Sequence, residues 1–182
     1  MTSTPTSTPT LSGERADLLD SLTKHRFFLR NTTRGLTDEQ VAAAPTASSL
    51  CLGGLIKHLT HGEQQWVDFI LAGPSAMFSG DKDWSEWDES DYAGYNETFR
   101  MRPGESLAAV LADYERVARR TDELLATLDL DAAHPLPRAP WFEPGARWSA
   151  RRVLLHLIGE TAQHAGHADI IRESTDGAKS MG

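Results

Sequence analysis

Four residues near the end of the chain are of types that hold divalent metals: His156, Glu160, His164 and His167. On a helix at about 100° per residue, with His156 at zero, Glu160 falls near 40°, His164 near 80° and His167 near 20°. They share one narrow stripe. Val153, Leu154, Leu157, Ile158, Thr161, Ala165, Ala168 and Ile171 form the apolar arc beside it. Glu160 and His164 lie nearest that arc, and His156 and His167 lie toward its rim. A carboxylate and an imidazole buried side by side are costly without a partner. Two readings are open: a Glu–His ion pair with two exposed histidines, or a divalent ion.

A third ligand must come from another helix. Leu52, Leu55, Ile56, Leu59, Trp66, Val67 and Ile70 make one apolar face, and His58 lies at its edge. His61 falls about 60° further out. Alone, His58 reads as a hydrogen-bonded core histidine. With Glu160 and His164 it completes a mononuclear triad, and three ligands with an open position are the arrangement of a catalytic metal. His61 and His156 are not expected to be ligands. A ferritin-like two-metal site needs Glu-x-x-His on two helices, whereas Glu160-x-x-x-His164 occurs once. H-E-x-x-H, G-x-S-x-G, G-x-G-x-x-G and Walker patterns are absent.

These residues need a scaffold of helices. The last runs from an N-cap at Ser149 to a stop at Asp176-Gly177. Apolar periodicity predicts others over Glu14–Arg34, Ser49–Ala72 and Glu105–Leu128. Thr37-Asp38-Glu39-Gln40 has capping-box spacing, so a short helical turn is expected there. Residues 73–104 show no sustained period yet carry Trp84, Trp87, Tyr92 and Tyr95, and are expected to cover one end of the bundle. Proline-rich residues 129–147, with Trp141 and Phe142, connect into Trp148 and the last helix. No strand-like alternation stands out. The expected fold is all-α, an antiparallel four-helix bundle over 13–175, after a Thr/Ser/Pro tail at 1–12 and before a flexible end at 176–182.

Composition narrows the function. Hydrophobic content of 40% and charged content of 24% suit a globular protein. A formal charge of −8 without a basic cluster argues against nucleic acid. No apolar run approaches the ~20 residues of a membrane span, so no membrane partner is expected. Cys51 is the single cysteine, which excludes an internal disulfide and reads as a small core residue. The N-terminal tail has no apolar signal region, so a cytoplasmic location is expected.

His58-Leu59-Thr60-His61-Gly62-Glu63-Gln64-Gln65-Trp66, followed by Glu160-Thr161-Ala162-Gln163-His164-Ala165-Gly166-His167-Ala168-Asp169, resembles the DinB/YfiT-like metalloprotein superfamily, most closely its DUF664 branch. The resemblance implies an up-down-down-up bundle, frequent homodimerisation, and one divalent metal, zinc or nickel, held by His58, Glu160 and His164. A carboxylate at 160, where many members have a third histidine, is similar to the mycothiol-dependent maleylpyruvate isomerase. The implied activity is transfer or isomerisation with a low-molecular-weight thiol such as mycothiol, acting on a small-molecule substrate. The alternatives are a non-catalytic protein stapled by its metal, or a metal-hydroxide hydrolase. His167 is expected to support the metal or line the pocket rim. Arg100, Arg102, Arg147, Arg151 and Arg152 either hold an anionic cosubstrate or belong to a solvated surface. An enzyme needs open space beside the metal; a staple does not.

Overall fold

The computed structural model describes residues 11, 13–77 and 84–180. Four long helices carry the structure: α1 (Glu14–Asn31), α3 (Leu52–Ala72), α5 (Leu107–Leu125) and α6 (Ala150–Asp176). Two shorter ones lie between them, α2 (Asp38–Ala42) and α4 (Glu89–Asn96). Helix α1 packs chiefly on α6, and α3 packs on both α5 and α6. Around the bundle the order is therefore α1, α6, α3, α5, with α1 facing α3 across one diagonal.

The helix ends follow from their caps. Ser149 Oγ accepts from the Arg152 N–H, which starts α6 at the expected place, and Gly177 at φ 78° ends it. Thr37 and Gln40 form the expected capping box at α2. The second long helix begins three residues later than Ser49, because Cys51 is its N-cap and its Sγ accepts from the Gly54 N–H. Cys51 is buried, as expected of a small core residue.

Two expectations need correction. The 73–104 connection is not without regular structure: α4 lies within it, nucleated by a reciprocal cap between Asp88 and Asp91, and 3₁₀ turns cover Pro74–Met77, Trp84–Glu86 and Glu97–Phe99. That helix has no apolar face, so periodicity could not reveal it. A two-stranded antiparallel ladder also pairs β1 (Ala133–Pro135) with β2 (Arg147–Ser149), with Ala133 opposite Ser149. Three residues per strand are too few to show alternation.

The core divides in two. Leu18, Leu22, Trp66, Phe69, Leu125, Val153 and Leu154 fill one half; Leu29, Val41, Leu55, Ile56, Val110, Tyr114 and Ala168 fill the other. Each fully buried aliphatic side chain contributes about 1.5–3 kcal/mol. A buried polar layer separates the halves. Arg26 on α1 donates to Glu63 on α3 at 2.5 Å and to Asp122 on α5 at 2.7 Å, while Thr121 on α5 donates to the same Glu63 oxygen at 2.5 Å. On α6 the layer is continued by buried Thr161, bonded to the Leu157 carbonyl. Most of the 1–12 tail and residues 78–83 lie outside the described residues, but Leu11 packs partly buried against the first core half. At the other end, the Ser180 N–H donates to Asp169 at 2.8 Å. Among the described residues, no helix is long and apolar enough to cross a membrane.

Candidate metal centre and its aromatic chamber

Helix α3 presents His58 and helix α6 presents Glu160 and His164, and one potential ligand atom from each lies within 4.8 Å of the others. The i, i+4 spacing stacks Glu160 under His164 on one face of α6, with His164 Nε2 3.6 Å from Glu160 Oε2. The His58 and His164 rings meet edge to face at 5.0 Å. His164 is 12% exposed and Glu160 36% exposed, so the carboxylate sits nearer the solvent than its helical angle suggested, and Thr161 takes the deep position.

Local electrostatics favour the neutral form of His58 and the ionised form of Glu160. Burial, reinforced by nearby His164, pushes His58 down to about 4, leaving a neutral imidazole. The neighbouring His164 imidazole holds the Glu160 carboxyl below its usual range despite partial burial. His58 Nδ1 is buried and has no hydrogen-bond partner. An unpaired imidazole nitrogen in the interior is costly. Two imidazoles and a carboxylate within a few ångströms suit a divalent ion of borderline softness, and such an ion would relieve that cost.

His167 is one turn beyond His164, with its Nδ1 3.4 Å from His164 Nδ1. His61 and His156 line the adjoining space without joining the triad. His156 abuts two indoles edge-on, with ring centroids 5.0 Å from Trp66 and 5.1 Å from Trp148, and burial lowers its pKa.

The segment after α4 closes one side. Phe99 stacks on His58 at 3.9 Å and 20° between ring planes, and Tyr95 meets the same imidazole edge-on at 5.8 Å. This close approach depends on Gly53 and Gly54 in the first turn of α3. A Cβ on Gly54 would collide with the Phe99 carbonyl, and one on Gly53 with the Met101 side chain.

Beside the triad is a chamber of about 440 Å³, walled by His58 and Glu160 on one side and by rings on the others. All five tryptophans of the chain line it: Trp66, Trp84, Trp87, Trp141 and Trp148. Tyr92, Tyr95 and Phe142 join them. The rings brace one another, Trp66 on Trp148 at 4.9 Å and Trp87 on Tyr95 at 5.8 Å. Among the described residues, no lysine or arginine lines the chamber.

The five arginines considered as anion holders are placed elsewhere. Arg151 pairs with Glu14 and Asp131, Arg147 donates to the Ala133 carbonyl, and Arg152 lies over the Trp148 ring at 4.3 Å without lining the chamber. Arg100 and Arg102 are exposed. Sequence reasoning missed Glu63, which lines the chamber and anchors the polar layer. Its signal was present: Glu63 follows Leu59 by four and precedes Trp66 by three, a core position.

A family model described as mycothiol-S-transferase matches residues 17–177. The chain belongs to that family. The match takes in α3, α5 and α6 whole, α1 from its fourth residue, and all three triad residues. Among solved structures, a conserved protein from Enterococcus faecalis is similar, with a TM-score of 0.61 and 11% identity over 92% of this chain and 100% of that one. At that identity the likeness concerns the fold alone, and it agrees with an all-α DinB-like bundle. No curated protein matches the chain.

Proposed function

We propose that the chain is a metal-dependent transferase acting on a low-molecular-weight thiol, with His58, Glu160 and His164 as ligands of one divalent ion. Zinc or nickel is the expected ion. The observation that carries this reading is the open chamber onto which two of the three donors, His58 and Glu160, face. A metal serving only to staple α3 to α6 would have protein packed against it there. Family membership over residues 17–177 supports the thiol as cosubstrate.

When bound, the ion would supply positive charge that lowers the pKa of a thiol in the open position. The chain's own residues do the rest. His58 and His164 offer neutral nitrogens, and Glu160 offers the single anionic donor. His167 orients the His164 ring through its Nδ1. Phe99 and Tyr95 exclude water from the His58 side. The aromatic chamber then holds the electrophile against the thiol sulfur.

Charge selects among thiols. The chamber walls contain Glu63 and Glu160 but no cationic side chain among the described residues. A thiol without ionised acid groups, such as mycothiol, suits this lining better than net-anionic glutathione or bacillithiol. The same reading has the chain working in the cytoplasm as a homodimer on a small-molecule substrate.

Metal analysis of protein purified without chelator, followed by transfer assays with mycothiol, bacillithiol, glutathione and cysteine, tests the proposal. About one divalent ion per chain and transfer fastest with mycothiol are expected. Protein with no affinity for zinc or nickel, or full activity after metal removal, would overturn it.

A further inference from the structure

The chain places all five of its tryptophans on one chamber. A core can be filled by leucine and valine, as both halves of this one largely are. Trp66 belongs to that core, and the other four indoles, gathered with it around an open space of about 440 Å³, add a surface on which flat rings can stack. Resting on the transferase reading above, we infer that the electrophile is a flat, uncharged aromatic molecule.

Three features of the site lead there. The first is shape. Trp66 and Trp148 lie face to face, 4.9 Å apart with 18° between planes, and Phe142 abuts Trp148 at 5.6 Å. A second group, Trp87 with Tyr92 at 5.3 Å and Tyr95 at 5.8 Å, continues the lining toward His58, which Tyr95 touches. A planar ligand stacked on this lining lies beside His58 and Glu160, which share its walls.

The second feature is size. A volume of about 440 Å³ accommodates a one- or two-ring molecule together with the cysteinyl end of a thiol, near the lower limit of ordinary small-molecule pockets. The third is charge. Glu63 is already paired with Arg26, and Glu160 belongs to the triad. With Glu160 and a thiolate balancing the charge of a divalent ion, and no lysine or arginine among the described lining residues, an anionic substrate would meet no unbalanced positive charge from them.

The reaction then balances simply. The sulfur lone pair forms the C–S bond at the electrophilic carbon, and the bond from that carbon to its leaving group breaks. The leaving group departs with that electron pair, and the thiol proton passes to water. Nothing is oxidised or reduced.

The test separates occupancy from chemistry. Because every tryptophan lines the chamber, intrinsic tryptophan fluorescence reports on it alone. The metal-loaded protein is titrated with 4-nitrobenzyl alcohol, a flat uncharged ring that cannot be attacked, and with 4-(hydroxymethyl)benzoate, its anionic counterpart. Saturable quenching by the neutral compound, at least roughly 10-fold tighter than any effect of the anion, is expected. Trp87→Leu and Trp141→Ala, both at chamber positions reaching toward solvent, each weaken that binding roughly 2- to 10-fold. Absence of saturable quenching, equal binding of the anion, or unchanged affinity in both variants overturns the inference.

Rates with mycothiol are then compared for 4-nitrobenzyl chloride and chloroacetamide, each relative to its uncatalysed reaction. Greater acceleration of the aromatic chloride, reduced in Trp87→Leu, supports the inference. Equal acceleration of both overturns it while leaving the transferase reading intact. Aromatic binding without acceleration of either chloride overturns the transferase reading and leaves the chamber's preference for flat neutral rings standing.

Discussion

The Nδ1 atoms of His164 and His167 lie 3.4 Å apart. Only one of them can carry the proton between them. His164 turns its other nitrogen, Nε2, toward Glu160 and the triad. A lone pair on Nε2 therefore requires the hydrogen on Nδ1, with His167 Nδ1 as acceptor. In that tautomer His164 would offer Nε2 to an ion, and His167 is placed to favour it.

His167→Ala is accordingly expected to retain metal but bind it roughly 10- to 100-fold more weakly. Competition with a chelating dye measures this directly. Wild-type affinity together with wild-type activity would reduce His167 to a bystander.

His164→Ala removes a proposed ligand itself. Metal content should fall to background, and the stabilisation that metal gives the native state should vanish with it. Elemental analysis and thermal melts with and without added zinc provide the readout. A variant that keeps one ion per chain rules out this triad.

Cobalt offers a view of the thiol. In protein loaded with Co²⁺, adding mycothiol should produce a sulfur-to-cobalt charge-transfer band, stronger than with glutathione at equal concentration. With no band for mycothiol, bacillithiol, glutathione or cysteine, metal-hydroxide hydrolysis or a structural ion becomes the better account.

The polar layer predicts a stability effect remote from the metal ligands. Arg26→Met leaves Glu63 as a buried, uncompensated charge and should cost about 3–5 kcal/mol. Adding Glu63→Leu removes that charge and should recover much of the loss. Urea unfolding of the single and double variants measures both. Equal stability of Arg26→Met and wild type would mean that water reaches the layer.

Gly54→Ala tests the strap over His58. The new methyl group collides with the Phe99 carbonyl, so the strap must shift, at a cost of about 1–3 kcal/mol. Tryptophan fluorescence should change as the adjoining aromatic wall moves. Unchanged emission and stability would show that the strap adapts freely.

The sequence made the metal stripe legible because helical periodicity is local: Glu160 and His164 share a face whatever surrounds them. The starts of α2 and α6 were equally legible, since Thr37 and Ser149 cap their own helices. Other features depended on distant partners. Arg26 and Glu63 look like ordinary polar residues until α1 and α3 face each other, although each occupies a core position in its helix. Helix α4 rests on one capping box, and the β1–β2 ladder joins segments separated by a proline-rich turn. The convergence of five tryptophans from α3 and two connections had no signal in any single stretch.

Helices α3 and α6 carry the proposed metal donors, whereas Trp84, Trp87, Tyr92, Tyr95, Trp141 and Phe142 are carried by the connections and by short α4. Grip on the reactive centre and choice of what reacts are thus encoded in separate, exchangeable stretches of chain. Transplanting residues 84–99 and 136–146 onto another bundle of this family should transfer substrate preference while the recipient keeps its own ligands. The same arrangement lets new chemistry be explored by loop replacement without reopening the problem of holding the ion.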